Sequence, residues 1–534
     1  MRNEGQDFYC DASSHAWYTS VSGGEHIRNP SKNMTLARLA EDGLDKYGEY
    51  VALAFEGRQY SNLDQQRSAS RLAHALRRLG VAPGDRVVVM LPNCPEVIQS
   101  YGAILKCGAV IVPVIFLLGD KEVAHIVADS EAKVVITSTD MLWKVEGQWG
   151  VLPTLRHVLL ADGGGDGRTR SLVEETAAES PIFTAVDRAP DDLAVILYTS
   201  GTTGVPKGVA LSHANLESNA RSAASLNELG RDDWAVAVLP LSHSYGLTVM
   251  NAGHILGTRA ALLRWFHPEA VLQAIQEFKA VSMSAVPTML IYLLNYPDAE
   301  RFDTSSMRAW GSGAAPLPTE IVEPFEKKFG GRILEGYGLT EASPVVSAHR
   351  LSGPRKIGSV GRAIPGVTIA IQDDDDRALP IGEIGEICVK GPNVMAGYYR
   401  NPDETARTVR GGWLHTGDMG RLDTDGFLFI VERKKDLIIR GGFNIYPREV
   451  EEALYAHPHV AEAAVVGMKD PLMGEDVVAF VVVKDGQRVS GEEIAAFCET
   501  RLARFKCPKQ IRFVDSLPKS PIGKILRKEL RTQV

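Results

Sequence analysis

Short apolar runs alternate with amphipathic stretches from about residue 35 to residue 345. Runs such as DRVVVMLP, AVIVPVI and AKVVITS have the length and β-branched content of buried strands. Stretches such as PEAVLQAIQEFK and PTEIVEPFEKKFG have the apolar spacing of helices. Strands that alternate with helices favour an α/β fold with largely parallel sheets. Because 534 residues exceed one ordinary hydrophobic core, we predict more than one domain.

The pattern changes twice toward the C-terminus. From about residue 365 to 431, the runs VTIAIQD, GEIGEICVKG and GFLFIVER are short and bounded by glycine, as in antiparallel strands. After Lys435, helical stretches such as PREVEEALYAHP accompany strands such as DVVAFVVVK. The charged run ERKKD at 432–436 marks the junction. We predict a large N-terminal domain of stacked α/β sheets with a small β-barrel-like subdomain (1–434), followed by a small mobile α+β domain (435–534).

Composition and charge exclude several classes of protein. The formal net charge of −8 argues against a general nucleic-acid binder. Six scattered cysteines form no C-x-x-C pair and have no histidine at metal-ligand spacing, which predicts reduced thiols and no structural zinc. The polar N-terminus lacks an apolar signal core, and the longest apolar run, 107–118, is too short to span a bilayer. We therefore expect a cytoplasmic protein without a transmembrane segment.

The segment YTSGTTGVPKGV at 198–209 follows an apolar run that is typical of a buried strand. It therefore leaves the carboxyl end of a core strand, where open α/β sheets bind ligands. Its glycines, hydroxyl side chains and Lys207 offer the donors and the charge that a polyphosphate needs. It is not a Walker A loop, because the lysine spacing differs and no serine or threonine follows Lys207. The alternative is a flexible surface loop.

A second segment, RILEGYGLTEASPVV, ends a strand at Glu335 and places Thr340 and Glu341 after a glycine-rich turn. A carboxylate beside a phosphate loop is unfavourable unless a cation lies between them, and Mg²⁺ would resolve the conflict. Tyr337 can stack on a nucleotide base. The alternative is a helix that Thr340 caps and whose dipole favours Glu341.

Other segments have both an ordinary and a functional interpretation. The small residues of GSGAAPLP suit either a tight loop or an adenine lying against backbone. His243 in LPLSHSYGL is either a loop histidine or the wall of a substrate pocket. Asp418 in WLHTGDMGRL is either a turn residue or an acceptor for a ribose diol, with Arg433 placed to reach the same nucleotide. Lys524 closes a basic stretch and is either solvated or bound to an anion.

Together, YTSGTTGVPKGV, GYGLTEASP, WLHTGD, ERKKDLIIRGGFNIYPREVEE and PKSPIGKIL, in this order and spacing, resemble the adenylate-forming superfamily. That group includes acyl-CoA synthetases, coumarate–CoA ligases, beetle luciferases and peptide-synthetase adenylation domains. The resemblance covers nearly the whole chain. It implies an enzyme that uses ATP, Mg²⁺ and coenzyme A to convert a carboxylic acid to acyl-AMP and then to acyl-CoA.

The resemblance also implies a role for each matching residue. The triphosphate would be bound by Thr199, Ser200, Gly201, Thr202, Thr203, Gly204 and Lys207. The adenine would lie against Gly313, Ala314, Ala315, Glu335, Gly336 and Tyr337. The catalytic group would be Thr340 on phosphate, Glu341 on Mg²⁺, and Lys524 between the substrate carboxylate and the α-phosphate. The ribose would be held by Asp418 and Arg433. The acyl pocket would contain His243, Tyr245, Met250, Ser312, Gly338 and Val345. The hinge would be Lys435, and the loop that meets the pantetheine of CoA would be Gly441 and Gly442.

The identity of the acid depends on the pocket. Its small and apolar residues include no obvious cation, which suits an apolar acid, so we expect a medium- or long-chain fatty acid. Plant coumarate ligases have a lysine where this chain has Ile439, so a close plant-type phenolic ligase is not expected. The alternatives are an aryl or alicyclic acid–CoA ligase, an enzyme that loads a carrier protein, and a nucleotide-binding sensor without chemistry. A homodimer is the oligomeric state that we expect.

Overall fold

The computed structural model describes residues 35–534, apart from 148, 151, 201–205, 227 and 521–523, together with two short strands nearer the N-terminus. Up to residue 348 the helices are α1 (Leu36–Tyr47), α2 (Asn62–Arg78), α3 (Pro95–Lys106), α4 (Asp120–Asp129), α5 (Trp143–Glu146), α6 (Leu172–Ala177), α7 (His213–Leu226), α8 (Ser244–Leu256), α9 (Pro268–Phe278), α10 (Pro287–Leu294) and α11 (Thr319–Phe329). The strands are β1 (Tyr9–Cys10), β2 (Trp17–Tyr18), β3 (Val51–Phe55), β4 (Arg58–Ser61), β5 (Arg86–Met90), β6 (Val110–Pro113), β7 (Val134–Thr137), β8 (His157–Leu160), β9 (Thr169–Ser171), β10 (Leu193–Ser200), β11 (Pro206–Ser212), β12 (Trp234–Ala237), β13 (Arg259–Leu262), β14 (Ser282–Ala285), β15 (Ala309–Ser312), β16 (Arg332–Gly338) and β17 (Val345–Ala348).

The remainder of the chain is richer in strands. From residue 349 to 433 the elements are β18 (Arg362–Ala363), β19 (Thr368–Gln372), β20 (Gly385–Lys390), β21 (Gly397–Tyr398), α12 (Pro402–Thr408), β22 (Val409–Arg410), β23 (Trp413–Leu422) and β24 (Leu428–Arg433). After the short 3₁₀ helix Lys434–Asp436, they are β25 (Ile438–Arg440), β26 (Phe443–Ile445), α13 (Pro447–Tyr455), β27 (Val460–Asp470), β28 (Gly474–Val483), α14 (Gly491–Glu499), β29 (Gln510–Phe513) and α15 (Arg527–Arg531).

One large sheet has eight strands in the order β21-β11-β10-β6-β5-β7-β8-β9. The pairs from β10 across to β9 are parallel, whereas β10, β11 and β21 pair antiparallel. Strand β5 is buried on both faces, since Val87 and Val89 join one core cluster while Val88 joins another. A parallel strand with both faces covered needs apolar residues at every position, which explains the unbroken run VVVM.

The second large sheet has nine strands in the order β18-β17-β16-β15-β14-β12-β13-β3-β4. Its central pairs, from β16 to β3, are parallel, and antiparallel strands form both edges. One face packs on a cluster that includes fully buried Trp310 and Phe325, whose ring centroids lie 5.0 Å apart. The sequence prediction of an α/β fold with stacked sheets is confirmed.

Two smaller sheets correspond to the two changes of sequence pattern. Strands β19, β20, β22, β23 and β24 pair antiparallel. The C-terminal sheet has the order β26-β25-β28-β27, with β29 parallel to β28. In the part of the chain that the structure describes, no helix combines the length and apolar character needed to cross a bilayer.

Candidate active site

The carboxyl ends of β10, β12, β15 and β16 meet at a cavity of about 1620 Å³, which is the edge where α/β sheets bind ligands. The C-terminal part of the chain closes another side of it. The cavity is lined by these residues of the predicted site: Thr199, Lys207, His243, Tyr245, Met250, Gly313, Ala314, Ala315, Gly336, Tyr337, Gly338, Thr340, Glu341, Val345, Asp418, Arg433, Lys435 and Lys524. Motifs that are up to 325 residues apart in sequence therefore surround one space.

Some predicted residues lie elsewhere. Ser312 is 2% exposed and does not line the cavity, because side chains alternate along β15 and Gly311 takes the cavity-facing position. Glu335 is also buried away from the lining, and burial raises its pKa to about 7. Gly441 and Gly442 are exposed outside the cavity. Four predicted phosphate-loop residues and one side chain lie outside the described part: Gly201, Thr202, Thr203, Gly204 and the side chain of Ser200.

Asp418 occupies the ribose side of the predicted site. It is 7% exposed and lies opposite Arg433 in the β23–β24 register. Its two carboxylate oxygens have different partners: Oδ2 accepts from the Tyr337 hydroxyl at 2.7 Å, and Oδ1 lies 3.2 Å from Arg433 Nε. Burial and Asp418 raise the pKa of Tyr337, so the phenol stays protonated and keeps donating. Asp418 is therefore a fixed acceptor rather than a free turn residue.

The phosphate side is built around the β10–β11 hairpin. Thr199 pairs with Lys207 across the hairpin. Lys207 forms an ion pair with Glu404, and its ammonium lies 5.7 Å from the centroid of the Tyr398 ring. The Tyr398 hydroxyl in turn donates to Glu341 Oε1 at 2.9 Å. Cationic and anionic groups thus alternate on this wall.

The turn that carries Thr340 and Glu341 is not the start of a helix. Residues Thr340–Ala342 form one 3₁₀ turn without a side-chain cap, and the chain then returns as antiparallel strand β17. The capped-helix alternative is therefore wrong. The Thr340 hydroxyl lies 3.3 Å from the Ser244 hydroxyl at the start of α8, which keeps it on the cavity wall.

Lys524 reaches the cavity from the C-terminal part of the chain. The Ser520 N–H donates to the Lys524 carbonyl at 2.7 Å, and the Lys524 N–H donates to Ser520 Oγ at 3.1 Å, which fixes the base of its loop. Removal from bulk water and the nearby Arg433 lower the pKa of the Lys524 ammonium to about 8, whereas Asp418 opposes the shift. A half-buried cation with so few anionic neighbours is suited to an anionic ligand.

His243 and Tyr245 separate this polar region from an apolar one. His243 Nδ1 accepts from the Tyr245 N–H at 3.2 Å, and burial, assisted by Lys524, lowers the His243 pKa to about 4. The imidazole is therefore neutral at pH 7. A Cβ atom on Gly311 or Gly313 would come within 3.1–3.2 Å of the Tyr245 hydroxyl or ring, so glycine at both positions leaves room for the Tyr245 side chain. His243 is both a satisfied loop histidine and a wall of the cavity.

Beyond Tyr245 the cavity continues between α8 and the centre of the nine-stranded sheet. Leu53, Val236, Arg259, Leu262 and Leu334 line the cavity from this sheet, and many of the other strand residues that line it are small: Ala235, Ala237, Ala260, Ser282, Ser284, Ala309 and Gly311. Most of them retain accessible surface although they lie on central strands. This slot extends along strands of four residues, which at 3.3 Å per residue is about 13 Å.

The residues present suit Mg²⁺ held with a nucleotide. Among the described residues no group of three or more His, Cys, Asp or Glu side chains is arranged to hold a metal. Mg²⁺ does not need such a group, because it commonly binds one or two carboxylates together with phosphates and water. Glu341 has one oxygen bound by Tyr398 and faces the cavity next to the phosphate wall.

Sequence reasoning did not identify Tyr398, Glu404 or Ser244. Tyr398 and Glu404 lie in GYYRNPDET, between the recognised motifs, and no local pattern marks them. Their position beside Lys207 follows from the pairing of β21 with β11, which joins segments about 190 residues apart. Only that long-range pairing brings them to the site.

Comparison with known proteins places the chain in a family. Residues 40–399 match the family model described as AMP-binding enzyme, and residues 449–524 match AMP-binding enzyme C-terminal domain. The chain therefore belongs to the family of AMP-binding enzymes. The two matched regions correspond to the large α/β sheets and to the small C-terminal sheet.

Particular members are similar over nearly their full length. A long-chain-fatty-acid–CoA ligase of Bacillus subtilis (strain 168) is 38% identical, covering 94% of this chain and 95% of the relative. A feruloyl-CoA synthase of an Amycolatopsis species is 37% identical, covering 90% and 95%. The crystal structure of the anthranilate CoA ligase AuaEII with anthranoyl-AMP superposes with a TM-score of 0.89 at 28% identity, covering 94% and 98%. The chain is an AMP-forming acyl-CoA ligase whose substrates are ATP, CoA and a carboxylic acid.

Proposed function

We propose that the enzyme activates a medium- or long-chain fatty acid to acyl-AMP and then transfers the acyl group to CoA. The observation that carries this proposal is the form of the cavity, in which a charged chamber continues into a slot lined by small residues. The charged chamber would hold the nucleotide and the carboxylate. The slot would hold the hydrocarbon chain.

The first step brings the carboxylate oxygen to the α-phosphorus of ATP and releases pyrophosphate. Both reactants are anions, so positive charge has to offset their repulsion. Lys524 would lie between the carboxylate and the α-phosphate. The β- and γ-phosphates, which leave as pyrophosphate, would be bound by Thr199, Lys207 and Thr340. Mg²⁺ held by Glu341 would supply further charge on the triphosphate. One preorganised donor of this type is worth roughly 2.7–4 kcal/mol in the transition state.

In the second step the CoA thiol attacks the acyl carbon and AMP leaves. Asp418 and Arg433 would keep the AMP ribose in place through both steps. The adenine would be flanked by the residues predicted for it that line the cavity: Gly313, Ala314, Ala315, Gly336 and Tyr337. Gly441 and Gly442 would meet the pantetheine. We propose a domain boundary between residues 434 and 435, with Lys435 as the hinge. By rotating on this hinge, residues 435–534 would present one of two surfaces to the cavity. The lysine surface carries Lys524, and the glycine surface carries Gly441 and Gly442.

The slot supports an apolar chain. Its 13 Å would accommodate roughly ten methylene groups, given about 1.3 Å per carbon for an extended chain with 1.52 Å bonds. Its small strand residues are uncharged, and the Arg259 guanidinium at the start of β13 is paired with Asp232. The similarity to a long-chain-fatty-acid–CoA ligase supports the same class of substrate.

An exchange assay tests the proposal. ATP–pyrophosphate exchange would be measured with straight-chain acids from acetate to palmitate, with benzoate and with ferulate, followed by AMP release with free CoA. We expect the highest kcat/KM for acids of about eight or more carbons. Preference for acetate would contradict the slot argument, and preference for ferulate would support an aryl-acid ligase, which the feruloyl-CoA synthase relative favours.

A variant of the slot sharpens the test. Ala260→Leu would place three extra carbon atoms in the middle of the slot. We expect it to lower kcat/KM for palmitate by at least tenfold and to leave butyrate almost unchanged, because butyrate ends before that point. Equal losses for both acids would show that Ala260 does not border the chain.

We also propose that the enzyme is a cytoplasmic homodimer that requires Mg²⁺. The five cysteines between residues 35 and 534 are free and buried, which suits a reducing compartment. Light scattering of the purified protein would determine the oligomeric state, and fractionation of the producing cells would determine the compartment. Chelation with EDTA, followed by addition of Mg²⁺, would test the requirement for the metal.

A further inference from the structure

Glu341 is held in place by the segment 393–398, which precedes α12. The Met395 N–H donates to the Glu341 carbonyl at 2.8 Å, and Asn393 Nδ2 donates to the Ala342 carbonyl at 2.9 Å. The Tyr398 hydroxyl donates to Glu341 Oε1 at 2.9 Å. One short stretch, 393–398, therefore fixes both the backbone turn and the carboxylate of Glu341.

The position of Tyr398 depends on the eight-stranded sheet. Tyr398 lies opposite Val209 in the β11–β21 register, and the Tyr399 N–H donates to the Gly208 carbonyl at 2.7 Å. Gly397, with φ of +149°, lets the strand pass α12, since a Cβ there would lie 2.7 Å from Thr405 Cγ2. Because β11 also carries Lys207, the sheet places the Tyr398 ring next to the phosphate-side cation.

The charges around Tyr398 are arranged so that Glu341 keeps its own. Lys207 is paired with Glu404, whose second oxygen accepts from Arg407 Nη1 at 3.0 Å. In this structure the Lys207 ammonium therefore pairs with Glu404 and not with Glu341. The Tyr398 hydroxyl donates its hydrogen bond to Glu341 as an uncharged group. Such a donor orients a carboxylate without cancelling its charge.

We propose that Tyr398 is a positioning residue for the divalent cation of the adenylation step. It holds Oε1 of Glu341 so that the other carboxylate oxygen faces the cavity, where it binds the cation that accompanies the triphosphate. This inference rests on the proposed role of Glu341. It adds a residue that acts through Glu341 and touches neither substrate nor the reacting atoms.

The two tyrosines of this sheet permit a matched experiment. Tyr398→Phe keeps the ring beside Lys207 and removes only the hydroxyl. Tyr198→Phe is the control, because the Tyr198 hydroxyl also binds a carboxylate, donating to Asp129 Oδ2 of α4 at 2.6 Å. Mn²⁺ replaces Mg²⁺ as a paramagnetic probe, and its affinity is measured by electron paramagnetic resonance with the full-length enzyme and α,β-methylene-ATP.

We expect Tyr398→Phe to weaken Mn²⁺ binding roughly tenfold, which is typical of losing a hydrogen bond to a charged group. Tyr198→Phe should leave the affinity unchanged. The Mg²⁺ concentration that gives half-maximal pyrophosphate exchange should rise by the same factor in Tyr398→Phe, with near-normal exchange at saturating Mg²⁺. Thioester formation from pre-made acyl-AMP should not change.

A double-mutant cycle tests whether Tyr398 acts through Glu341. In a Glu341→Gln background, Tyr398→Phe should cause no further loss of Mn²⁺ affinity. An additive loss, an equal loss in Tyr198→Phe, or an unchanged affinity in Tyr398→Phe would overturn the inference and leave the proposed function intact. A wild-type enzyme that neither binds Mn²⁺ with the nucleotide analogue nor exchanges pyrophosphate would overturn both.

Discussion

Lys524 and the Gly441–Gly442 loop lie on the same C-terminal stretch, 435–534, yet their surroundings are opposite. Lys524 lines the cavity beside Asp418 and Arg433, and removal from water lowers its pKa. Gly441 and Gly442 are exposed, and so are the neighbouring Phe443 (59%) and Leu472 (92%). In the proposed mechanism adenylate formation uses Lys524 and thioester formation uses the glycine loop, so this arrangement suits the first half-reaction.

The lysine surface is held in the cavity by contacts that cross the proposed junction. The Arg448 N–H donates to Glu432 Oε2 at 3.0 Å, and Arg448 Nη1 donates to the Ile430 carbonyl at 2.9 Å. Arg527 Nη1 lies 3.3 Å from Glu432 Oε1, while its Nη2 pairs with Glu451. Glu432 on β24 therefore anchors two arginines of the C-terminal stretch. The glycine surface has no comparable anchor among the contacts that the described residues make.

Removal of the Lys524 charge should give the largest effect and distinguish the role of the lysine surface from that of the glycine surface. In Lys524→Ala, acyl-AMP formation should fall by about 10²–10³-fold, because a preorganised cation is lost from one transition state. Thioester formation from pre-made acyl-AMP and CoA should stay near normal. Rapid-quench measurement of each half-reaction checks this.

The two half-reactions control for each other, since a variant with a misfolded C-terminal stretch would lose both. Equal losses in a protein with native circular dichroism would contradict the exchange of surfaces. An unchanged first half-reaction would contradict a catalytic role for Lys524.

Asp418 should affect both half-reactions, because AMP stays bound through both. In Asp418→Ala, the ribose would lose its acceptor and Tyr337 would lose its hydrogen-bond partner. We expect kcat/KM for ATP and for acyl-AMP to fall by roughly 10- to 100-fold, the range for hydrogen bonds to charged groups. Normal dependence on ATP would mean that Asp418 does not bind the nucleotide and only holds Tyr337 and Arg433.

The contrast between these residues also shows how far the sequence alone can be interpreted. Asp418 and Lys524 could be predicted because they lie in long motifs whose residue types match one chemistry. Ser312 was predicted to line the acyl pocket but does not, because packing decides which of the alternating side chains at the end of β15 face the cavity. The helix alternative for Thr340 failed because β17 returns antiparallel, and Tyr398 and Glu404 were missed because only the β11–β21 pairing brings them to the site. Local patterns predict elements, and long-range pairing decides which side chains meet.

The glycine surface can be tested by a single methyl group. Gly441 has φ of +57°, and a Cβ there would lie 2.6 Å from Met473 Cε. Gly441→Ala places an L-residue in the left-handed region at a cost of about 1–2 kcal/mol, so we expect thioester formation to fall by about tenfold. Adenylation, measured by pyrophosphate exchange, should not change. A loss of adenylation instead would show that this loop supports the first step.

Weakening the contacts that Glu432 makes with the C-terminal stretch should shift the equilibrium between the states in which the lysine surface and the glycine surface face the cavity. Glu432→Gln keeps the shape of the side chain and removes the charge that faces Arg527. We expect adenylation to fall roughly fivefold, at the lower end of typical coupling energies, and thioester formation to stay level or rise. Glu452→Gln is the matched control, because Glu452 pairs with Arg448 at 3.1 Å within the C-terminal stretch. Equal effects of both variants would contradict an anchoring role for Glu432.

The smallest expected effect is a dependence on pH that is confined to the lysine surface. Lys524 must be protonated to offset the repulsion between carboxylate and phosphate, and its pKa is lowered to about 8. A lowered lysine pKa means that the charge is present below pH 8 and is lost as the pH rises. For the free enzyme, kcat/KM for ATP in pyrophosphate exchange should therefore be flat near pH 7, about twofold lower at pH 8, and decline about tenfold per unit above pH 9.

Thioester formation should lack this decline, because Lys524 takes no part in it. In Lys524→Arg the decline should disappear, since a guanidinium stays charged throughout this range. His243 cannot produce the decline, because its pKa is lowered to about 4. If Lys524→Arg retains a decline near pH 8, another group controls the first half-reaction, and the contrast between the two surfaces does not depend on the charge of Lys524.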